Sequence, residues 1–236
     1  MPGRCVFYYI TDRTAFAPDE LTSRSRLLEK IAEAARANID YIQLREKDLS
    51  VRELESLARD AVRIVGKLRN ESREVRTRLL VNSRTDIALS VHADGVHLRS
   101  DDISPEEVHT IWRKSCVGTA AVTADKAHAL KEKPLIGISC HTPEEVSAAK
   151  ANGATFAVFA PVFEKKDAPD THPAGLAQLH EACKIHMPVL ALGGITLANA
   201  RSCLQAGAAG IAAIRLFQEN DIAEIVDSVQ HAFTRY

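Results

Sequence analysis

Two kinds of segment alternate along the chain. Short runs of successive apolar positions recur at Val6–Ile10, Tyr41–Leu44, Leu79–Val81, Gly95–Leu98, Leu135–Ile138, Phe156–Phe159, Val189–Leu192 and Gly210–Ile214. Runs of this kind suit strands buried on both faces, as in a parallel sheet. Between them lie longer stretches with helical spacing. In Leu49–Val65, the residues Leu54, Leu57, Ala58, Ala61 and Val65 fall on one helical stripe. Strand–helix alternation predicts βαβ units. Ser104-Pro105-Glu106-Glu107 and Thr142-Pro143-Glu144-Glu145 read as helix starts, with a cap, a proline at the first position and acids in the first turn. Asn152-Gly153 and Ala206-Gly207 read as helix ends.

About eight such repeats fill 236 residues. That is near the ~250 residues of one (β/α)8 TIM barrel, so the chain is expected to be a single barrel domain over residues 1–236. A doubly wound open sheet also alternates strand and helix, but no GxGxxG follows the first run and eight units favour closure. The segment Cys116–Pro134 fits poorly and is expected to be an extra excursion around strand five. Asn70–Arg78 reads as a charged, solvated loop.

Composition excludes several classes. The net charge of -1 carries no basic excess for nucleic acid. The longest apolar run, Phe156–Phe163, is too short to span a bilayer. The five cysteines show no metal or disulfide spacing and read as buried thiols of a reducing compartment. The first residues, MPGRCVFYYITD, lack a leader pattern. A cytoplasmic location follows as the expectation. The oligomeric state stays open, a homodimer included.

Barrel chemistry sits where strands end, so the residues after each apolar run are the candidates. Alternation puts Gln43, Arg45 and Lys47 on one side of strand two, with Leu44 and Glu46 on the other. Inward cations of this kind need an anionic partner. The bland alternative is a solvated loop paired to Glu46 and Asp48. Asn82 can donate to and accept from a heterocycle, or Asn82 and Ser83 can cap the next helix. Asp101 and Asp102 can ligate Mg2+ together with substrate phosphate oxygens, or decorate the helix start at Ser104. Ser139 and His141 follow strand five, and His141 can act as acid or base or as a structural histidine. His97 reads as a packed core histidine. The loop from Ala160 to Gly175 suits a lid that brings Lys165 or Lys166 over an anion. Gly193-Gly194 after strand seven and Ile214 after strand eight fall at the usual phosphate site of this fold.

YYITD at the start, QLREK after strand two, Asn82, ADGVHL at strand four, SCHT, APVFEKK, LALGGIT and GAAGIAAI follow in order. This series resembles the thiamine-phosphate synthase family and its thiazole tautomerase relatives, from about Tyr8 to Phe217. The resemblance implies transfer of a hydroxymethylpyrimidine from its diphosphate to a thiazole phosphate, with release of pyrophosphate. It implies that Gln43, Arg45, Lys47 and Asn82 hold the pyrimidine diphosphate and that Asp102 holds Mg2+, with Asp101 as a helper. Ser139 would hold pyrophosphate, and Gly193, Gly194 and Ile214 the thiazole phosphate. Lys47, Lys166 and His141 are the catalytic candidates, with Lys165 beside them as a substrate contact. The partners are small phosphorylated molecules.

Several positions depart from the family pattern. Ser83 stands where an acid would be a second Mg2+ ligand, so a weak, substrate-assisted Mg2+ site is expected. Arg99-Ser100 replaces glycine–glutamine. The threonine-rich lid is shortened to Glu164-Lys165-Lys166, and Arg215 replaces a serine. A tautomerase without metal, with His141 as its acid or base, is the rival reading. A barrel that binds thiamine precursors without turnover is the third.

Overall fold

The structure, a computed structural model, describes residues 4–117, 133–164 and 172–234, without the side chains of 116–117 and 232–234. Eight parallel strands close into a barrel in sequence order: β1 (Val6–Ile10), β2 (Tyr41–Leu44), β3 (Arg78–Asn82), β4 (Gly95–Leu98), β5 (Leu135–Cys140), β6 (Phe156–Phe159), β7 (Val189–Ala191) and β8 (Gly210–Ala213). Closure is made by β8 on β1, where Tyr8 pairs with Ala212. The described helices are α1 (Glu20–Arg36), α2 (Val51–Glu71), α3 (Thr85–Ser90), α4 (Pro105–Val117), α5 (Pro143–Ala151), α6 (Gly175–Cys183), α7 (Leu197–Gln205), α8 (Arg215–Gln218) and α9 (Ile222–Thr234). Among the described residues no helix is long and apolar enough to cross a membrane.

Period-two alternation divides the strand residues between two cores. Phe7, Tyr9, Ile42, Leu44, Leu79, Val81, Val96 and Leu98 point outward, against the apolar stripes of the helices. Tyr8, Ile10, Leu80, Phe156, Val158, Leu190 and Ala212 fill the interior. Aromatic rings close the floor at the strand starts. Tyr41 stacks on Phe156 at 4.8 Å, and Tyr8 meets Phe156 edge-on at 5.4 Å. Gly137 makes room for this plug, since a Cβ there would lie 2.6 Å from the Phe156 ring and 2.8 Å from His97 Nδ1. With the floor filled, the opening lies at the carboxyl ends of the strands.

The caps are where the sequence places them. Ser104 and Glu107 bond each other's backbone N–H groups before α4. Thr142 Oγ1 accepts from Glu145 N at the start of α5. Gly153 and Gly207, just past α5 and α7, have φ of +83° and +104°.

Three expectations change. Helix α2 runs on to Glu71 and β3 begins at Arg78, so the supposed loop keeps only its middle. Strand β5 reaches Cys140, which puts Ser139 inside the strand. Neither Asn82 nor Ser83 caps α3: its N-cap is Arg84, without a side-chain bond. Of the supposed extra segment, Cys116 and Val117 end α4 and Lys133–Pro134 lead into β5, while 118–132 lie outside the described residues.

Candidate active site

The carboxyl ends of the strands open on a cavity of about 660 Å3. Gln43, Arg45, Lys47, Asn82, Ser139, His141, Gly193, Gly194 and Ile214 all line it. The structure thus gathers every described residue that the sequence assigned to substrate. Lys165 and Lys166 lie outside the described residues.

The β2 end shows how a basic cluster is left without partners. Leu44 and Glu46 turn away from the cavity, and the Glu46 side chain is 1% exposed. Its carboxylate accepts from Thr11 Oγ1 at 2.5 Å and from Arg13 N at 2.9 Å. The Arg13 guanidinium lies 3.4 Å from it and forks onto both oxygens of Asp48, at 2.7 and 2.8 Å. Its Nε bonds Glu20 at 2.9 Å. Burial pushes the Glu46 carboxyl up, while the hydrogen bonds from Thr11 and Arg13 oppose this. Both acids near Arg45 and Lys47 are therefore committed to Arg13. Among the described residues, neither cavity cation has a carboxylate within ion-pair distance. Lys47 is held below its ordinary value, first by Arg45, then by burial and Arg99. A bound polyanion would relieve this mutual repulsion.

Next to these cations, Gln43 is 2% exposed. Its Nε2 donates to Asn82 Oδ1 at 2.7 Å, while Oε1 is buried with no partner among the described residues. A buried amide oxygen without a donor carries a desolvation cost that a ligand N–H would remove. The chain of bonds continues from Asn82 Nδ2 to Ser83 Oγ at 3.2 Å. Ser83 Oγ then donates to Asp102 Oδ2 at 2.6 Å.

His97 and His141 differ in environment. His97 bridges Tyr8 Oη (3.1 Å) and Ser139 Oγ (3.0 Å) at the cavity floor. Burial, then the charge of Arg45, holds its pKa down at about 3. It is a neutral core imidazole, as its place within β4 suggested. His141 lies at the exposed rim. Its Nδ1 is 2.6 Å from the carbonyl of Ala160. A carbonyl only accepts, so Nδ1 donates here and Nε2 is the nitrogen left facing outward for proton exchange.

On the opposite wall, Gly193 and Gly194 have φ of +97° and +65°. A Cβ on Gly194 would lie 2.5 Å from Glu164 O and 2.8 Å from Phe163 Cβ. The carbonyls of Leu192 and Gly193 accept from Val162 and Phe163 N at 2.9 and 3.0 Å, which ties this loop to the one after β6. Among the described residues, no hydrogen bond uses the N–H of Gly193 or Gly194. Asn199 braces the turn through Gly194 O (2.9 Å) and Thr196 N (2.8 Å). Backbone donors at a glycine turn beside the short α8 suit a phosphate.

The acidic pair fits a metal poorly. Asp102 does not line the cavity, and its side chain is 13% exposed. Oδ2 accepts from Ser83 Oγ and from Arg99 N (2.8 Å), and Oδ1 is 3.6 Å from Arg99 Nε. Asp101 pairs with Arg99 Nη2 at 3.1 Å. Among the described residues, no three His, Cys, Asp or Glu side chains gather to ligate an ion. Mg2+ needs open carboxylate oxygens in octahedral array. Asp102 is instead held by the Ser83 hydroxyl and the Arg99 amide, while Asp101, which lines the cavity and is 69% exposed, has the exposed Arg99 guanidinium beside it.

The sequence reading passed over several cavity residues. Arg99 appeared only as a departure, yet it lines the cavity and acts on Lys47, and Asp12 and Glu219 line the cavity too. Arg13 carried no motif, because its role exists only through the Glu46 and Asp48 it holds.

A family model described as thiamine monophosphate synthase matches residues 7–134 and 117–217. The two stretches share residues 117–134, within the segment set apart above. The thiamine-phosphate synthase of Clostridium novyi is 34% identical over 218 residues, covering 91% of each chain. That of Roseiflexus castenholzii is 34% identical over 214 residues, or 90% of this chain and 80% of the relative. The solved structure of a thiamine phosphate pyrophosphorylase from Pyrococcus furiosus superposes with a TM-score of 0.72 at 27% identity, covering 98% of this chain and 96% of that one. The chain therefore belongs to the thiamine monophosphate synthase family.

Proposed function

We propose that this barrel is a thiamine-phosphate synthase that joins 4-amino-2-methyl-5-hydroxymethylpyrimidine diphosphate to 4-methyl-5-(2-phosphoethyl)thiazole. The observation that carries the reading is the Gln43–Arg45–Lys47 edge of β2. Among the described residues, it combines a buried amide oxygen without a hydrogen-bond partner with two cations that have no carboxylate within ion-pair distance, across one cavity from the Gly193–Gly194 turn. A heterocycle with a diphosphate fits the first wall and a phosphate the second.

In the reaction, the bond between the pyrimidine methylene carbon and the diphosphate oxygen breaks. Its electron pair leaves with pyrophosphate. The electron-rich pyrimidine stabilises the cation left behind, and the thiazole nitrogen supplies the pair for the new C–N bond. No group on the protein needs to become covalent. Arg45 and Lys47 meet the charge that grows on the leaving oxygen, Gln43 and Asn82 orient the pyrimidine, and the glycine turn holds the thiazole phosphate in line. The neutral His97 fixes Ser139, whose hydroxyl reaches the same cavity. Lys166 or Lys165 would close over the pyrophosphate. Asp102 is held by Ser83 and the Arg99 amide, and Arg99 offsets one of the two acidic charges, so the departing charge is met by the protein's own cations. A cytoplasmic setting is supported by the buried free thiols of Cys5, Cys140 and Cys203.

One observation favours a second reading. The exposed His141 presents the Nε2 of its imidazole at the rim, which suits proton transfer on a thiazole. Comparing Lys47→Ala, Lys166→Ala and His141→Ala in both assays separates the two. For a synthase, the lysine variants lower kcat for thiamine phosphate by on the order of 10²-fold. If the parent makes none, and His141→Ala abolishes tautomerisation, the synthase reading is refuted.

A further inference from the structure

We propose that Arg99 occupies the electrostatic role of a metal ion in this barrel, so that pyrophosphate is bound and released against guanidinium and ammonium groups without Mg2+. The inference rests on the synthase reading for its substrate. It rests on geometry for its chemistry.

Arg99 follows directly on β4 and lines the cavity together with Arg45 and Lys47. It offsets one of the two negative charges that would otherwise attract a cation, with Nη2 on Asp101 at 3.1 Å and Nε 3.6 Å from Asp102. Its own backbone N–H also caps Asp102 at 2.8 Å. On its other side, Asp102 accepts the Ser83 hydroxyl at 2.6 Å. The residues that depart from the family pattern, Ser83 and Arg99, thus converge on one carboxylate. A second acid at 83 would leave two anions to share a metal. A hydroxyl at 83 adds no anion, and a guanidinium at 99 reduces the two charges of Asp101 and Asp102 to a net one.

A guanidinium has five N–H donors in a rigid fork suited to phosphate oxygens. Asp101 takes one by hydrogen bond, so most of the fork stays available to a ligand. Arg99 is also one of the charges that hold Lys47 below its ordinary value, as Arg45 is. The three cations therefore act on one volume. Among the described residues, two of them, Arg45 and Lys47, have no carboxylate within ion-pair distance. When the C–O bond of the pyrimidine diphosphate breaks, its electron pair passes to the pyrophosphate, and this volume receives the added charge. An arginine brought to a departing phosphoryl group can supply stabilisation of this kind.

The test uses the whole chain freed of divalent ions with EDTA. Titration calorimetry with inorganic pyrophosphate and the thiamine phosphate assay are both run with and without Mg2+. The expected parent binds pyrophosphate and turns over equally well in either condition. Arg99→Ala weakens metal-free pyrophosphate binding by on the order of tenfold and kcat by on the order of 10²-fold. Arg99→Lys recovers part of both, and the double variant Ser83→Asp/Arg99→Gly becomes Mg2+-dependent. Thermal melting shows that Arg99→Ala, a rim substitution, is folded. Loss of parent turnover in EDTA, or metal-free pyrophosphate affinity unchanged by Arg99→Ala, overturns the proposal. If no thiamine phosphate forms in any condition, the synthase reading fails by itself. The pyrophosphate titration then still decides: Mg2+-independent, Arg99-dependent binding upholds the inference, and its absence overturns it.

Discussion

Arg13→Ala should unsettle the β2 loop by stranding one buried charge. The Arg13 and Glu46 side chains are 5% and 1% exposed. Removing one partner of a buried pair costs about 3–5 kcal/mol, because the remaining charge is left uncompensated. Glu46 keeps only Thr11 Oγ1 and one backbone N–H. The bonds to Asp48 and Glu20, which are half exposed, add at most about 1 kcal/mol each. For a chain of this length, the loss from the buried pair corresponds to a Tm lower by about 6–20 °C. The pH dependence has a definite sign. Burial already raises the folded Glu46 above its ordinary value of 4.5, so the folded state holds this proton more tightly than the unfolded state. That contribution is complete below the unfolded value and is lost as pH rises through the folded one. Without Arg13 the folded value climbs further, so the variant's deficit should grow as pH rises above the ordinary value of 4.5. Urea unfolding across that range measures it, and the double variant Arg13→Ala/Glu46→Gln should recover part of the loss. Pyrophosphate titration should show weaker binding, because Arg45 and Lys47 flank Glu46. A loss below about 1 kcal/mol that does not vary with pH would refute the reasoning.

Three further outcomes follow from the same geometry. Gly194→Val places a Cβ 2.5 Å from Glu164 O at φ +65°, so thiazole phosphate binding should weaken at least tenfold while the far-UV spectrum is kept; unchanged affinity would remove the turn from the site. The folded pKa of His97 is held down at about 3, so its stabilising contribution is complete above about pH 6.5 and falls as pH drops towards 3, by up to about 1.4 kcal/mol per pH unit; an NMR titration that finds this imidazole protonated at pH 6 would contradict it. The thiols of Cys5, Cys140 and Cys203 are pushed up to about 12, chiefly by burial, so iodoacetamide at pH 8 should leave them unmodified in the folded protein by peptide mass mapping.

Much of the fold was legible because a parallel barrel writes its strands as continuous apolar runs and its helices as stripes. Val6–Ile10, Tyr41–Leu44, Gly95–Leu98 and Phe156–Phe159 fall at the same residues in sequence and structure. Of the ends that shifted, Asn82 and Ser139 are polar residues that continue a strand into the cavity, where hydrophobicity stops marking it, while β7 and β8 stop one residue short of the apolar runs, before Leu192 and Ile214. The Gln43–Arg45–Lys47 face was readable because period-two alternation fixes direction. What pairs with what was not readable. Glu46 and Asp48 were as plausible for Arg45 and Lys47 as for Arg13, more than thirty residues away, and only closure of the barrel decides. The Asp101–Asp102 pair looked like a metal site because the Ser83 bond that occupies Asp102 joins two strand ends far apart in sequence. Of the lid, the stretch with Lys165 and Lys166 lies outside the described residues.

The central claim is the reaction itself. Incubation of the protein with the pyrimidine diphosphate and the thiazole phosphate, followed by mass spectrometry for thiamine phosphate and phosphorus NMR for pyrophosphate, tests it most directly. Formation of both products in equal amounts, abolished together by Lys47→Ala, is the predicted result. Absence of thiamine phosphate both with and without Mg2+ would contradict it.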